Sequence, residues 1–226
     1  MDVYGKALLD YYHQANNEIL LLHNSYGDPE DMPLDVFFRQ TEDMPDLELQ
    51  ALALCKGKVL DVGAGAGCHS LVLQERGFDV QAIDISKGAV ELMRERGLRN
   101  VHLLDFFNIT QKFDTLLFMM NGIGLCGSLD GLNKLLDYAT QLLNPNGQLL
   151  FDSSDIAYLY EDLVLPSDQY FGEISFCYEY QGTKGEWFNW LYIDPLTLAK
   201  YSQAKGWKCE IVFRDDQDQY LARLSR

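Results

Sequence analysis

The stretch Val59-Leu60-Asp61-Val62-Gly63-Ala64-Gly65-Ala66-Gly67 decides how the rest of this chain is read. A β-branched, apolar run carrying one acid ends in three alternating glycines, and a helical pattern follows. Glycine has no Cβ, so it adopts positive φ and lets a ligand lie against the backbone. Strand, glycine turn and helix in that order form a cradle for a nucleotide-type ligand.

The sequence after the turn narrows the ligand. Residues 79–85 (DVQAIDI) read as a second strand ending on Asp84, and residues 101–106 (VHLLDF) as a third, with Asp105 near its end. Open α/β sheets bind ligands outside the carboxyl ends of their strands, at the topological switch point. An acid about 20 residues beyond a glycine turn suits a ribose diol, because a carboxylate accepts from both hydroxyls. Asp105 is placed to accept from an exocyclic amine such as that of adenine. The dinucleotide fingerprint G-x-G-x-x-G fails, because Cys68 stands at its third glycine position. The phosphate-binding G-x-x-x-x-G-K-[ST] is absent as well.

With these residues in place, the chain resembles the class I S-adenosylmethionine-dependent methyltransferases. Their first motif, hydrophobic-Asp/Glu-x-Gly-x-Gly-x-Gly, is matched by residues 60–67. Their second and third are matched by Asp84 and by Asp105-Phe106. The fourth falls on residues 113–121 (FDTLLFMMN) and the fifth on residues 142–152 (LLNPNGQLLFD). The resemblance covers residues 46–226. It implies an α/β, Rossmann-like doubly wound sheet of seven strands in the order 3-2-1-4-5-7-6, the last strand antiparallel. It also implies S-adenosyl-L-methionine as cofactor, S-adenosyl-L-homocysteine as product and no metal. Carried over by position, Gly63, Ala64, Gly65 and Gly67 admit the methionyl part, and Asp61 holds the turn or reaches the amino group. Asp84 takes the ribose, Ile85 packs on the adenine, and Asp105 accepts from its amine with Phe106 beside it. Met120 and Asn121 bring backbone near the transferring methyl. Arg39, after Phe37-Phe38, is read either as the partner of the cofactor carboxylate, which its planar fork suits, or as a solvated surface arginine.

Composition bounds the function class. The formal net charge is −16, from 34 acids against 18 bases, which opposes a phosphate backbone. The [DN]-P-P-[YFW] motif used on base amines is also absent, so no nucleic acid partner is expected. No apolar run approaches the ~20 residues needed to span a bilayer, and no membrane partner is expected. The five cysteines are widely spaced without C-x-x-C. That pattern argues against zinc and, with no basic-then-apolar leader, for a reduced cytoplasmic protein.

Residues 2–24 show helical periodicity and residues 25–45 are irregular, giving an N-terminal helical cap over 1–45. A helix starting near Pro45 opens a cofactor-binding core over 46–154. Residues 171–180 (FGEISFCYEY) and 186–193 (EWFNWLYI) read as a β-hairpin-like insertion within 155–193. A closing helix capped by Asp194-Pro195 and a strand pair complete a single domain at 194–226. Both additions are expected over the carboxyl ends of the strands, as a lid above a small-molecule acceptor.

Candidate substrate contacts are Asp152, Ser153, Ser154 and Asp155 just past strand five, where loops carry function, with Tyr178 and Trp190 from the hairpin. Asp155 reads equally as a helix N-cap, and the aromatics as an ordinary hydrophobic face. His13, His23 and Asp152 are the candidates for a general base. Two alternatives use the same fold. One is aminopropyl transfer from decarboxylated cofactor, for which the acidic surface and Asp152 suit a polyamine. The other is a non-catalytic cofactor-binding module.

Overall fold

The computed structural model describes residues 1–15, 18–160 and 169–226. The first elements are helix α1 (Val3–Tyr12) and strands β1 (Leu20–Asn24) and β2 (Glu30–Met32). Helix α2 (Asp46–Leu54) then leads into β3 (Lys58–Val62), α3 (Cys68–Glu75), β4 (Asp79–Asp84), α4 (Lys87–Glu95) and β5 (Val101–Leu103). The alternation continues through β6 (Phe113–Phe118), α5 (Leu129–Leu142) and β7 (Leu143–Ser154). A β-rich segment follows, with β8 (Glu173–Tyr180), β9 (Thr183–Lys184) and β10 (Phe188–Leu191). Helix α6 (Pro195–Ala204) and strands β11 (Lys208–Arg214) and β12 (Gln219–Ser225) close the chain.

The main sheet has seven strands in the order β11-β12-β7-β6-β3-β4-β5. Counted from the glycine-turn strand, this is the expected 3-2-1-4-5-7-6. The β3, β4, β5, β6 and β7 pairings are parallel, and β12 runs antiparallel to β7. Successive residues of each strand enter opposite layers, as the two-residue period requires. Leu60, Leu116, Leu149 and Ala222 pack with α5 and α6, while Val59, Leu117, Leu150 and Leu221 pack with α2, α3 and α4. Reversal of strand order between β3 and β6 places the switch point at the glycine turn.

The N-terminal segment departs from the expected helix. Helix α1 stops at Tyr12, and Gln14 takes a φ of 52°, which a helix does not admit. Residues 20–24 form a strand instead, with Leu20, Leu22 and Asn24 buried and Leu21 and His23 less so. A short leucine-rich run fits either period, and here cross-strand pairing decides. Strand β1 pairs antiparallel with β8 of the insertion, Leu22 opposite Tyr178 and His23 opposite Cys177. The hairpin found over the insertion and the N-terminal segment therefore share one second sheet, β10-β8-β1-β2, with β9 beside β8. Three smaller differences occur. The third strand ends at Leu103, the fourth at Phe118, and Pro45 is the N-cap of α2 rather than its first helical residue.

Helix α1 is fastened to the core at its first residue. Gly5 N–H donates to Asp2 Oδ1 at 2.9 Å, while Ser86 Oγ and Gly88 N–H donate to Asp2 Oδ2 at 2.8 and 2.9 Å. One carboxylate thus caps α1 and also sits at the N-terminus of α4, where the helix dipole favours an anion. Replacing Asp2 with Ala is expected to cost about 0.5–2 kcal/mol. Amide hydrogen exchange should quicken through α1 before the main sheet. Uniform protection in the variant would mean that α1 is held by its apolar face alone.

Candidate active site

The glycine turn has the conformation its sequence demands. Gly63, Gly65 and Gly67 have φ of 68°, 57° and 80°, the left-handed region that L side chains avoid. A Cβ at Gly63 would meet open space, whereas one at Gly65 would lie 2.8 Å from the Tyr4 hydroxyl. The turn is therefore open at its first glycine and roofed at its second. Asp84, at the end of β4, ties the turn to the next crossover. Gly65 N–H donates to its Oδ2 at 2.9 Å and Ser86 N–H to its Oδ1 at 2.8 Å. Each oxygen keeps a second lone pair for a ligand. Burial pushes the Asp84 carboxyl above its usual range, against the pull of those amides.

The next residue, Ile85, is 76% exposed although apolar, a bare platform at the mouth of the strand. Asp105 is exposed, and its Oδ1 accepts from Phe107 N–H at 2.8 Å. Phe106 does not stand beside it. That ring is 3% exposed and packs edge-on against Phe118 and Tyr138 in the core, while Phe107 is the one left at the surface. The sequence placed Phe106 on a strand, whereas the short 3-10 turn Phe106–Asn108 rotates it inward. Asp61 is buried and accepts from Ser70 Oγ at 2.7 Å, so it braces α3 against β3. Burial raises its carboxyl as well.

Arg39 does not face the cradle as a free cation. Its Nη2 donates to Glu48, whose other oxygen lies 2.9 Å from His69 Nε2. Glu48 and His69 are both buried, so two elements outside the motifs hold the arginine. Burial acts against charge on His69, but its contacts with Cys68 and Glu48 outweigh it and leave the imidazole raised. The roof over the cradle comes from Tyr4, stacked on Tyr178 with ring centroids 5.3 Å apart. Burial first, then the neighbouring charges including Asp84, raises both phenols. Tyr178 therefore stands, through Tyr4, on the side of the glycine turn.

Past β6 the backbone is strained. Met120 and Asn121 have φ of 61° and 56°, an unusual consecutive pair for non-glycine residues. Asn121 N–H donates to Asp152 Oδ2 at 2.8 Å, and Ser154 Oγ donates to Asn121 Oδ1 at 3.0 Å. Such strain persists where the surroundings over-determine it, and here two residues of β7 hold it. Trp190 covers the same stretch, where a Cβ at Gly124 would fall 2.0 Å from its Nε1.

Beside Asn121 lies a cavity of about 520 Å³. Asn121 and Ser154 form its wall at the sheet, and Tyr26 and Glu30 enter from the β1–β2 connection. Ile156, Tyr158, Leu159 and Tyr192 come from the insertion, and Gln217, Asp218 and Gln219 from the β11–β12 turn. No motif marks Tyr26, Glu30 or the β11–β12 turn, and nothing in the sequence pattern singles them out.

The other expected site residues lie elsewhere. Ser153 is fully buried on the opposite face of β7 from Asp152 and Ser154, and its Oγ accepts from Ile193 N–H at 3.0 Å. Asp155 Oδ1 accepts from Ala157 N–H at 3.1 Å, the capping role. His13 ends α1 and pairs with Glu95 at 2.7 Å, at the far end of α4 from Asp84. His23 lies on the face of β1 opposite Leu22 and pairs with Glu179 at 2.7 Å. Neither histidine meets the cavity. Cys126 accompanies the turn after β6, and burial pushes its thiol up to about 12.

Comparisons with known proteins agree with this geometry. A family described as a methyltransferase domain matches residues 55–192. A crystal structure of an S-adenosylmethionine-dependent methyltransferase from Bacteroides fragilis, in complex with S-adenosyl-L-homocysteine, is 41% identical. The alignment covers 99% of this chain and 94% of that one, with a TM-score of 0.91. The chain belongs to the class I S-adenosylmethionine-dependent methyltransferases. The CcbJ methyltransferase of Streptomyces caelestis shares the fold at a TM-score of 0.63 and 18% identity, over 84% of this chain and 94% of its own. A curated relative, the putative methyltransferase YqeM of Bacillus subtilis, is 27% identical over 104 residues. That alignment spans 43% of this methyltransferase and 42% of the relative's length.

Asp152 generates a pH-dependent expectation. It is 4% exposed and its Oδ1 is buried without a partner among the described residues. Burial, against the Asn121 amide, raises its carboxyl to about 7. The unfolded chain gives up this proton near pH ~4, so the folded state loses stability as pH rises from there to about 7, and the loss is complete above. Asp152→Asn removes that loss, which at about 1.4 kcal/mol per unit is on the order of a few kcal/mol. Midpoints of thermal unfolding for variant and wild type should converge in acid and separate, variant higher, toward about pH 8. A gap that does not change with pH would mean that the carboxyl titrates alike in the folded and the unfolded chain.

Proposed function

We propose that this chain binds S-adenosyl-L-methionine in the glycine cradle and transfers its methyl group to a small-molecule acceptor held in the cavity beside Asn121. The observation that carries this is the adjacency of the two sites. The strained Met120–Asn121 turn stands at the end of β6, next to the switch point, and Asn121 is itself a wall of the cavity. The donor set fits the cofactor: three left-handed glycines, a buried carboxylate with spare lone pairs, a bare apolar platform at Ile85 and an exposed Asp105.

When bound, the cofactor supplies a methyl group activated by a sulfonium. The chain's own residues then bind and orient. Gly63 leaves room for the methionyl part, Asp84 accepts from the ribose hydroxyls, and Ile85 supports the adenine face. Asp105 accepts from the adenine amine through its remaining oxygen. Tyr4 and Tyr178 exclude water from above. Asn121, fixed by Asp152 and Ser154, sets the distance between the two sites, since proximity and orientation dominate an in-line displacement.

The acceptor is read as small because the cavity is bounded. Its volume of about 520 Å³ lies within the usual span of small-molecule sites. The net charge of −16 opposes a nucleic-acid acceptor.

Isothermal titration of the whole protein with S-adenosyl-L-homocysteine tests the reading. One site per chain is expected, and Asp84→Ala should weaken it by on the order of 1.5–3 kcal/mol, the worth of hydrogen bonds to a charged group. Correctly folded wild type that binds neither cofactor nor product would overturn the assignment. Unchanged affinity in a folded Asp84→Ala would remove Asp84 from the site.

A further inference from the structure

We infer that the acceptor is an amine on a polar scaffold, cationic at neutral pH, and that its nitrogen is the atom methylated in the cavity beside Asn121. The inference rests on the methyltransferase reading above and names the chemistry of its second substrate.

The walls select by charge. Two carboxylates, Glu30 and Asp218, and three phenols, Tyr26, Tyr158 and Tyr192, line the space, and no Lys, Arg or His does so among the described residues. Residues 161–168 (EDLVLPSD) hold no base in their sequence either. An anionic acceptor would lose its hydration against like charge with nothing to pair it. A cation gains from the carboxylates and from the ring faces. Glu30 is already oriented for this. Its Oε1 accepts from Tyr26 Oη at 2.8 Å and from Asn24 Nδ2 at 3.0 Å, and its Oε2 carries no partner among the described residues. Among the described lining residues only Ile156 and Leu159 are aliphatic, so a bare hydrocarbon scaffold would leave most of the described polar groups unsatisfied.

The walls also select by reactivity. An alcohol must shed its proton to attack, and the described lining holds no imidazole or amine base. Burial pushes the Tyr192 phenol up to about 12 and raises that of Tyr26 as well, so neither is a base at neutral pH. An amine brings its own lone pair once it has lost its ammonium proton to solvent or to a wall carboxylate. That pair becomes the new N–C bond, the electrons of the S–C bond return to sulfur as a thioether, and the extra proton on nitrogen leaves to solvent.

The test uses the full chain and matched probes that differ only in the functional group: glucosamine, glucose and glucuronate, and benzylamine, benzyl alcohol and benzoate. Binding is read by titration in the presence of S-adenosyl-L-homocysteine, and transfer by release of that product from S-adenosyl-L-methionine. The amine of each set should bind best and be the member methylated. Glu30→Gln should weaken amine binding about tenfold, the worth of one charged hydrogen bond, with S-adenosyl-L-homocysteine affinity unchanged. If the product analogue binds but the alcohol or carboxylate is preferred, or no amine binds, the amine inference is overturned and the methyltransferase reading stands. Amine affinity that ignores Glu30→Gln overturns it equally. Failure of folded protein to bind S-adenosyl-L-homocysteine overturns the underlying reading and this inference with it.

Discussion

Asp84 accepts from the backbone of Gly65 on one side and of Ser86 on the other, and the architecture around the site hangs from that carboxylate. Through Gly65 it sets the glycine turn. Through Ser86 it sets the start of α4, where the Ser86 hydroxyl and the Gly88 amide hold Asp2 and therefore α1. Helix α1 in turn carries Tyr4 over Gly65 and against Tyr178 of the second sheet. Cradle, cap helix and roof thus meet at one buried acid. Burial raises its carboxyl, and the two amides offset part of that cost.

Asp152 performs the matching task on the other side of the switch point, and less completely. One of its oxygens holds Asn121, while the other is buried without a partner among the described residues. A fold optimised for stability would neither bury that oxygen nor place two non-glycine residues at positive φ. Both costs fall at the end of β6, between the cradle and the cavity. Strain of this kind accumulates where a fixed backbone position matters more than stability.

The core was legible because its signals are local and repeated. The near-continuous apolar runs within residues 58–62, 79–84 and 113–118 report strands buried on both faces, and the glycines of 63–67 report left-handed backbone. What escaped depends on partners distant in sequence. Residues 20–24 look helical alone and become a strand because β8, more than 150 residues away, supplies the pairing. Arg39 reads as a free cation until Glu48 is folded beside it. His23 is placed outward by strand register alone, and Phe106 inward by a turn of three residues. Tyr26, Glu30 and Asp218 share no motif and gather only when the second sheet settles on the first.

This difference in legibility follows from how each half of the site is made. The cradle is built largely from backbone: three glycine conformations, two amides on Asp84 and a strained turn at β6. Such a device accepts little change in sequence, and it leaves a pattern. Away from Asn121 and Ser154, the cavity is lined by side chains of the β1–β2 connection, the insertion and the β11–β12 turn that take no part themselves in the core of the main sheet. Substitutions there leave the glycine turn and Asp84 untouched. On the proposed reading, acceptor choice is therefore separable from cofactor binding. On that reading, a change of charge at Glu30 or Asp218 falls on the acceptor cavity rather than on the cradle, and no cation on the described wall would be left unpaired by it.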